Sequence, residues 1–209
     1  MTFGLAFFIG AAFGLFAHFL REYYRAVFAP DKPKLRFRGL TGAATLVAVG
    51  LLLGAAFVRA ASGPEFWIFA VLFLVLTVAA LVDLDTMCIP DAPLVVGALA
   101  AGAWIFIGGI AWYAALIGAA AGAMPLWLLD RGVWLLARKR GFGFGDVKLM
   151  AVGGLFLGWR GVVAAFFCAF VAGGAVAALL LLTKRAAQGS YMAFGPFLCA
   201  GILAALWLV

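Results

Sequence analysis

The stretch FAVLFLVLTVAALV, Phe69 to Val82, runs without a polar buffer into Asp83. With its apolar flank from residue 66, it is close to the ~20 residues a helix needs to cross a bilayer. A carboxylate emerging directly from hydrocarbon is costly, and such acids are candidates for function by default. The fold therefore turns on whether the rest of the chain is also built for lipid.

Composition says that it is. Of 209 residues, 68% are hydrophobic and 11% charged, against about 25% charged in an ordinary soluble domain; the mean hydropathy is +1.20. So little polar surface cannot cover a globule of this size, which excludes a soluble or single-span protein. The implied fold class is all-α, a polytopic membrane protein. Apolar runs fall at roughly 3–20, 41–61, 66–82, 92–109, 112–129, 147–158, 161–183 and 191–208, giving about eight transmembrane helices. The sixth run is short and is interrupted by Trp159 and Arg160. Met1 to Leu20 lacks a basic start and a cleavage site, so it reads as a retained first helix and not a signal peptide.

Charge sets the orientation. With the amino terminus outside, the loops at 21–40, 83–91, 130–148 and 184–190 are cytoplasmic. They then hold all but Arg59 and Arg160 of the 15 lysines and arginines, the bias of the positive-inside rule. The net charge of +7 is thus a topology signal and an attraction to anionic lipid head groups. The basic residues are spread over several juxtamembrane loops, so no nucleic-acid partner is expected. Cys88, Cys168 and Cys199 are far apart with no CxxC pair, which indicates neither zinc nor a disulfide framework. His18 stands without a second candidate ligand nearby, so no metal site is assigned.

All the acids except Glu65 fall on the cytoplasmic side of this topology. Asp83, Asp85 and Asp91 cluster in VDLDTMCIPD, Val82 to Asp91, and Asp146 lies in GFGFGDVKLM, Gly141 to Met150. Each has an ordinary explanation open to it. Asp91, before Ala92-Pro93, suits the N-cap of a helix; Asp146 could cap the next one against its dipole; Asp85 could neutralise a basic neighbour. Gly143 and Gly145 remove side-chain bulk beside Asp146 and permit backbone angles closed to other residues. Two carboxylates brought together can share a proton, one acting as base on a water while the other, protonated, polarises a peptide carbonyl. That chemistry needs neither metal nor cofactor.

At these residues the chain resembles the prepilin peptidases, bacterial membrane aspartic proteases of the GxGD type. DLDTMCIPD is similar to the family's first motif, an aspartate at a fixed interval before Ile/Leu-Pro-Asp/Asn. The interval aligns the catalytic acid with Asp83, and not with Asp85. GFGDVKLMAVGGLFLGW, Gly143 to Trp159, looks like the second motif and assigns the other catalytic acid to Asp146. AFGPFLCAG, Ala193 to Gly201, is similar to the Phe-Gly-Pro segment near the family's carboxyl terminus. The likeness to presenilins stops at the GxGD, since no Pro-Ala-Leu follows. The resemblance implies Asp83 and Asp146 as a catalytic dyad, with Gly143, Gly145, Lys148, Asp85, Pro90 and Asp91 in supporting or substrate-binding roles. Lys148 would position Asp146 or face lipid head groups.

It also implies a bacterial inner-membrane enzyme that cuts leaders from type IV prepilin or pseudopilin precursors at the cytoplasmic face. Residues 63–209 would be the peptidase core. Residues 1–62 would be a helix pair with a basic loop, a reduced form of the region that carries N-methyltransferase activity in larger members. Those members bind zinc through two CxxC pairs after the first helix; Arg21 to Leu40 has no cysteine, so zinc is not expected. Methylation with S-adenosylmethionine stays an open alternative. Two rival classes also remain at this stage: a small proton- or cation-coupled transporter using Asp83 and Asp146, and a catalytically silent assembly factor.

Overall fold

The computed structural model describes residues 3–28, 63–138, 143–183 and 192–208. The apolar run at 41–61, the basic loop beyond residue 28, and Lys139, Arg140, Lys184 and Arg185 lie outside the described residues. The elements are all helical: α1 (Phe3–Phe28), α2 (Pro64–Thr86), α3 (Asp91–Phe106), α4 (Trp112–Ala137), α5 (Phe144–Leu182) and α6 (Gly195–Leu208). Among the described residues, α2, α4 and α5 are long and apolar enough to cross a membrane, while α3 and α6 are shorter apolar helices.

α2 is the central post. Pro64 opens it behind Gly63, where the missing proline N–H would have had no partner. Its 23 residues rise about 35 Å, enough for a hydrocarbon core of about 30 Å. Leu72, Val75, Leu76 and Val78 are fully buried, whereas Leu116 and Leu128 of α4 and Phe167, Val171 and Leu179 of α5 are exposed. An apolar outer surface of this extent would be a liability in water and is the ordinary one in lipid. The helix closes at Met87, in the left-handed conformation, whose N–H donates to the Asp83 carbonyl at 2.8 Å.

α5 is two helices in one. Its 39 residues would measure about 58 Å as a straight rod, nearly twice the hydrocarbon thickness. Gly158 breaks it with φ 64° and ψ 179°, a conformation that favours glycine. The packing of α6 shows that the chain turns back there. In the first half, Gly153 lies against Ile202, so index rises along both helices from the Asp83–Gly195 end. In the second half, Gly201 lies against Ala165 and Ala169, while Phe194 and Phe197 lie against Gly173; there index rises on one helix as it falls on the other. The break expected near Trp159 and Arg160 is made by the glycine just before them.

α4 runs antiparallel to the first half of α5 with backbones in contact: Gly118 meets Gly154, and Gly122 meets the Met150 carbonyl. A Cβ at any of these glycines would strike backbone, which cannot move aside as a side-chain end can. Small residues at such crossings let membrane helices approach where hydrophobicity offers no net drive. The result is a bundle whose buried centre, including Leu72, Leu76, Leu126, Leu149, Met150, Leu198 and Ile202, holds the ends of α2, α5 and α6 together.

Candidate active site

Three helix ends meet at one end of this bundle. The last turn of α2 carries Asp83, the first turn of α5 carries Asp146, and α6 begins with Gly195. Both carboxylates are buried, with Asp83 5% and Asp146 8% exposed. Asp146 lies in the electrostatic field of Asp83. Cys199, one turn into α6 from Gly195 and itself buried, lies in the field of both. The two acids are thus neighbours on one side of the bundle, backed by α6.

Each acid is held differently. Asp83 Oδ2 accepts the Gly195 N–H at 2.9 Å, a donor left free because the first N–H groups of a helix have no intrahelical partner. A Cβ on Gly195 would stand 2.6 Å from that oxygen, so glycine is what lets the backbone come this close. Asp146 is the third residue of its helix, and its N–H donates to the Gly143 carbonyl at 3.1 Å. Its Oδ1 is buried with no hydrogen-bond partner among the described residues. A buried polar atom without a partner is uncommon and calls for an explanation.

Of the simpler roles open to the acids, Asp85 fills the one expected of it, pairing with a basic residue, Arg21, whereas Asp91 and Asp146 do not occupy the cap positions of their helices. Neither α3 nor α5 has a side-chain cap: the cap positions are Pro90 and Gly143. Asp91 is the first helical residue of α3, and Asp146 sits inside the first turn of α5. Both still gain from the positive end of their helix.

Gly143 has φ −73° and ψ 141°, ordinary extended backbone, and Gly145 is helical, so neither uses an angle closed to other residues. Their value is space: a Cβ on Gly145 would lie 2.8 Å from Cβ of Ile89, and one on Gly143 would lie 3.4 Å from Asp146 Oδ2. Ile89 and Pro90 are buried, so the connection from α2 to α3 packs under the start of α5. Lys148 does not reach Asp146. Its Nζ pairs with Asp91 Oδ1 at 2.7 Å and sits 4.9 Å from the centre of the Phe144 ring. That exposed bridge ties α3 to α5 and contributes about 1 kcal/mol at most. Asp85 points away from the dyad, to a buried ion pair with Arg21 of α1.

Sequence reasoning missed two of these residues. In sequence Arg21 is one cytoplasmic charge among many, and Gly195 is one part of a Phe-Gly-Pro likeness. The glycine between Phe194 and Pro196 was the available signal; nothing local pointed to Arg21. Among the described residues no three His, Cys, Asp or Glu side chains converge as a metal ion would need.

A family model described as the type IV leader peptidase family matches residues 68–178, which includes Asp83 and Asp146. A prepilin leader peptidase/N-methyltransferase of Aeromonas hydrophila is 36% identical over 140 residues, 64% of this chain and 47% of that protein. A Burkholderia pseudomallei protein of the same description is 36% identical over 132 residues, 60% of this chain and 41% of its own length. A third, from Escherichia coli strain K12, is 38% identical over 87 residues, 42% of this chain and 38% of its own length. The chain thus spans about half the length, or less, of these relatives. No solved structure matches it.

Proposed function

The chain belongs to the type IV leader peptidase family, and from that premise we propose that it is a membrane-embedded aspartic endopeptidase. It removes the leader of type IV pilin-like precursors at the cytoplasmic face of the bacterial inner membrane, with Asp83 and Asp146 as the catalytic dyad. The observation that carries this reading is the pairing of two unlike buried carboxylates. One has an oxygen pinned by a backbone N–H, and the other has a buried oxygen with no hydrogen-bond partner among the described residues, in the field of the first.

Like charges a few ångströms apart resist double ionisation, so such a dyad holds one proton between its two members. The ionised member takes a proton from a water as it attacks the scissile carbonyl carbon. The protonated member donates a hydrogen bond to the carbonyl oxygen and stabilises the charge that develops there. Asp146 Oδ1 is the atom available to hold the water or the carbonyl, while the Gly195 N–H keeps Asp83 from rotating away. Burial removes competing water and strengthens each of these interactions.

A precursor anchored by its own apolar helix reaches helix-end acids laterally, with the scissile bond just outside the hydrocarbon. The full topology proposed has about eight spans, counting 41–61 and the two halves of α5, with the amino terminus outside. In it the acids, Lys148 and the α2–α3 connection share the cytoplasmic face. The proposed dyad chemistry uses no metal or cofactor.

Co-expression with a pilin-like precursor tests the activity: the precursor is expected to shift to the mature form on a gel. An unshifted precursor in the presence of folded enzyme rules the reading out. The mass of the new amino terminus, with or without an added methyl group, reports whether methyltransferase activity is present. Orientation has its own test. Cys88 is exposed in the connection that follows α2, whereas Cys199 is buried and the half-buried Cys168 is replaced by serine for the test. A membrane-impermeant maleimide is expected to label Cys88 in inside-out vesicles and to leave it unlabelled in right-side-out ones. The reverse pattern overturns the cytoplasmic placement.

A further inference from the structure

We propose that Arg21 is a positioning residue for Asp83, acting through Asp85: their buried ion pair fixes the rotation of the last turn of α2, so that Asp83 faces Asp146. The inference rests on the dyad reading above.

The contact is specific in direction as well as distance. Arg21 Nε donates to Asp85 Oδ2 at 2.6 Å, and Nη2 donates to Oδ1 at 2.9 Å. The two side chains are 6% and 2% exposed. A guanidinium fork on a carboxylate constrains the plane of both groups, which a single contact between apolar side chains does not.

α1 is laid along α2 to bring this about. Ala17 is buried with Val78 and Val82, with Leu20, Tyr24 and Leu74 packed beside them. On α2 the positions 74, 78, 82 and 85 recur at helical spacing, so Asp85 ends a stripe that faces α1. Asp83 stands two residues earlier, about 200° away around the helix. It faces α6, where Gly195 holds it. The terminal turn of α2 is therefore gripped by carboxylates on nearly opposite sides, one by α1 and the other by α6.

That turn ends the helix at Met87, where the carbonyls beyond Asp83 lack intrahelical partners, so side-chain contacts carry more of its orientation. Stability alone is a poor reason for the pair. Two buried charges lose their hydration, and replacing such a pair by apolar side chains of similar volume is often neutral or stabilising. The replacement keeps the contact and discards its direction.

This distinction supplies the experiment. Steady-state cleavage of a pilin-like precursor is measured on the purified full chain in detergent, for Arg21→Gln, Arg21→Lys, the double variant Arg21→Met/Asp85→Leu, and Asp83→Asn. Arg21→Gln removes the cation that offsets a buried carboxylate and is open to failure by misfolding, so the double variant decides the matter. It is expected to keep the wild-type melting temperature and KM while kcat falls about 10- to 100-fold, the scale of loss when a catalytic group is displaced by about 1 Å. Arg21→Lys, which keeps the charge but puts its donors on a single nitrogen, is expected to retain more kcat than Arg21→Gln.

A folded double variant with kcat within about twofold of wild type overturns the proposal and leaves the pair a structural one. So does a fall in kcat that only tracks a loss of folded protein. Cleavage retained by Asp83→Asn is a different failure, of the dyad itself, and the Asp83→Asn arm separates the two.

Discussion

Asp83→Asn and Asp146→Asn each lower leader cleavage by about 10³-fold or more, within the range for loss of a positioned acid or base in general catalysis, while the protein still inserts and folds. The double variant is scarcely worse than either single one, because groups that act as a unit are not additive. The reasoning follows from the shared proton. An amide in place of either carboxylate removes the site at which a proton is accepted or released, yet it preserves side-chain shape. At Asp146 the amide also meets little opposition, since Oδ1 has no hydrogen-bond partner among the described residues to lose. At Asp83 the Gly195 N–H must still find the amide oxygen, so the side chain is expected to stay in place with its oxygen on that donor. Melting temperature in detergent and initial rate of precursor cleavage, measured on the same preparations, check both halves of the statement. Wild-type cleavage by either single variant removes the dyad.

Gly195→Ala lowers cleavage about 10²-fold, the scale expected when a catalytic group shifts by about 1 Å, though it touches no ionisable group chemically. The added methyl would lie 2.6 Å from Asp83 Oδ2 and 3.0 Å from its Cγ, closer than carbon and oxygen tolerate. Either the carboxylate rotates or α6 backs away, and both break the 2.9 Å hydrogen bond. Gly102→Ala is the matched control. Gly102 lies within α3 and a Cβ there meets nothing within 4 Å; alanine is the better helix former by about 1 kcal/mol, so activity is expected unchanged. Equal cleavage by Gly195→Ala and wild type shows that the backbone contact does not hold Asp83 for the reaction.

Particular residues show what could be read in advance. Phe69 to Val82 is apolar on every face, and that alone makes it a helix buried among helices or lipid. Asp83, immediately after it, stands at the edge of the apolar zone wherever the helix is packed. Membrane solvent imposes this directly, because every backbone group in hydrocarbon needs an internal partner and helices supply them within the segment. The interruption at Trp159 and Arg160 likewise marked a change in α5, although the break itself sits at Gly158, where the backbone demands a left-handed φ. For Gly143 the expected room beside Asp146 is present and only the expected special backbone angle is absent. Its dihedrals are ordinary, and its use is room beside Asp146, which depends on what lies next to it in space.

Arg21 and Asp85 mark the boundary of such reading. They are 64 positions apart, and Arg21 looks like any other cation on a positively charged face. Only the docking of α1 along Ala17, Val78 and Val82 turns that cation inward. Gly195 is similar: its contribution is a backbone N–H, which every residue but proline carries, so no side-chain pattern distinguishes it. Lys148, four residues from Phe144 and two from Asp146, was within reach of both by sequence, and the approach of α3 gave it Asp91 instead.

By itself, then, the amino-acid sequence determined that this is a helical membrane protein of the leader peptidase family with acids at the ends of its apolar segments. Hydrophobicity and motif spacing are local properties, and they survive any packing arrangement. Tertiary structure alone decided which acid faces which partner. Motif spacing separates Asp83 from Asp85 by name only; about 200° of helical rotation sends one to Gly195 beside Asp146 and the other to Arg21. That rotation is set by the surfaces of α1 and α6 packed on either side, through contacts between residues far apart in the chain.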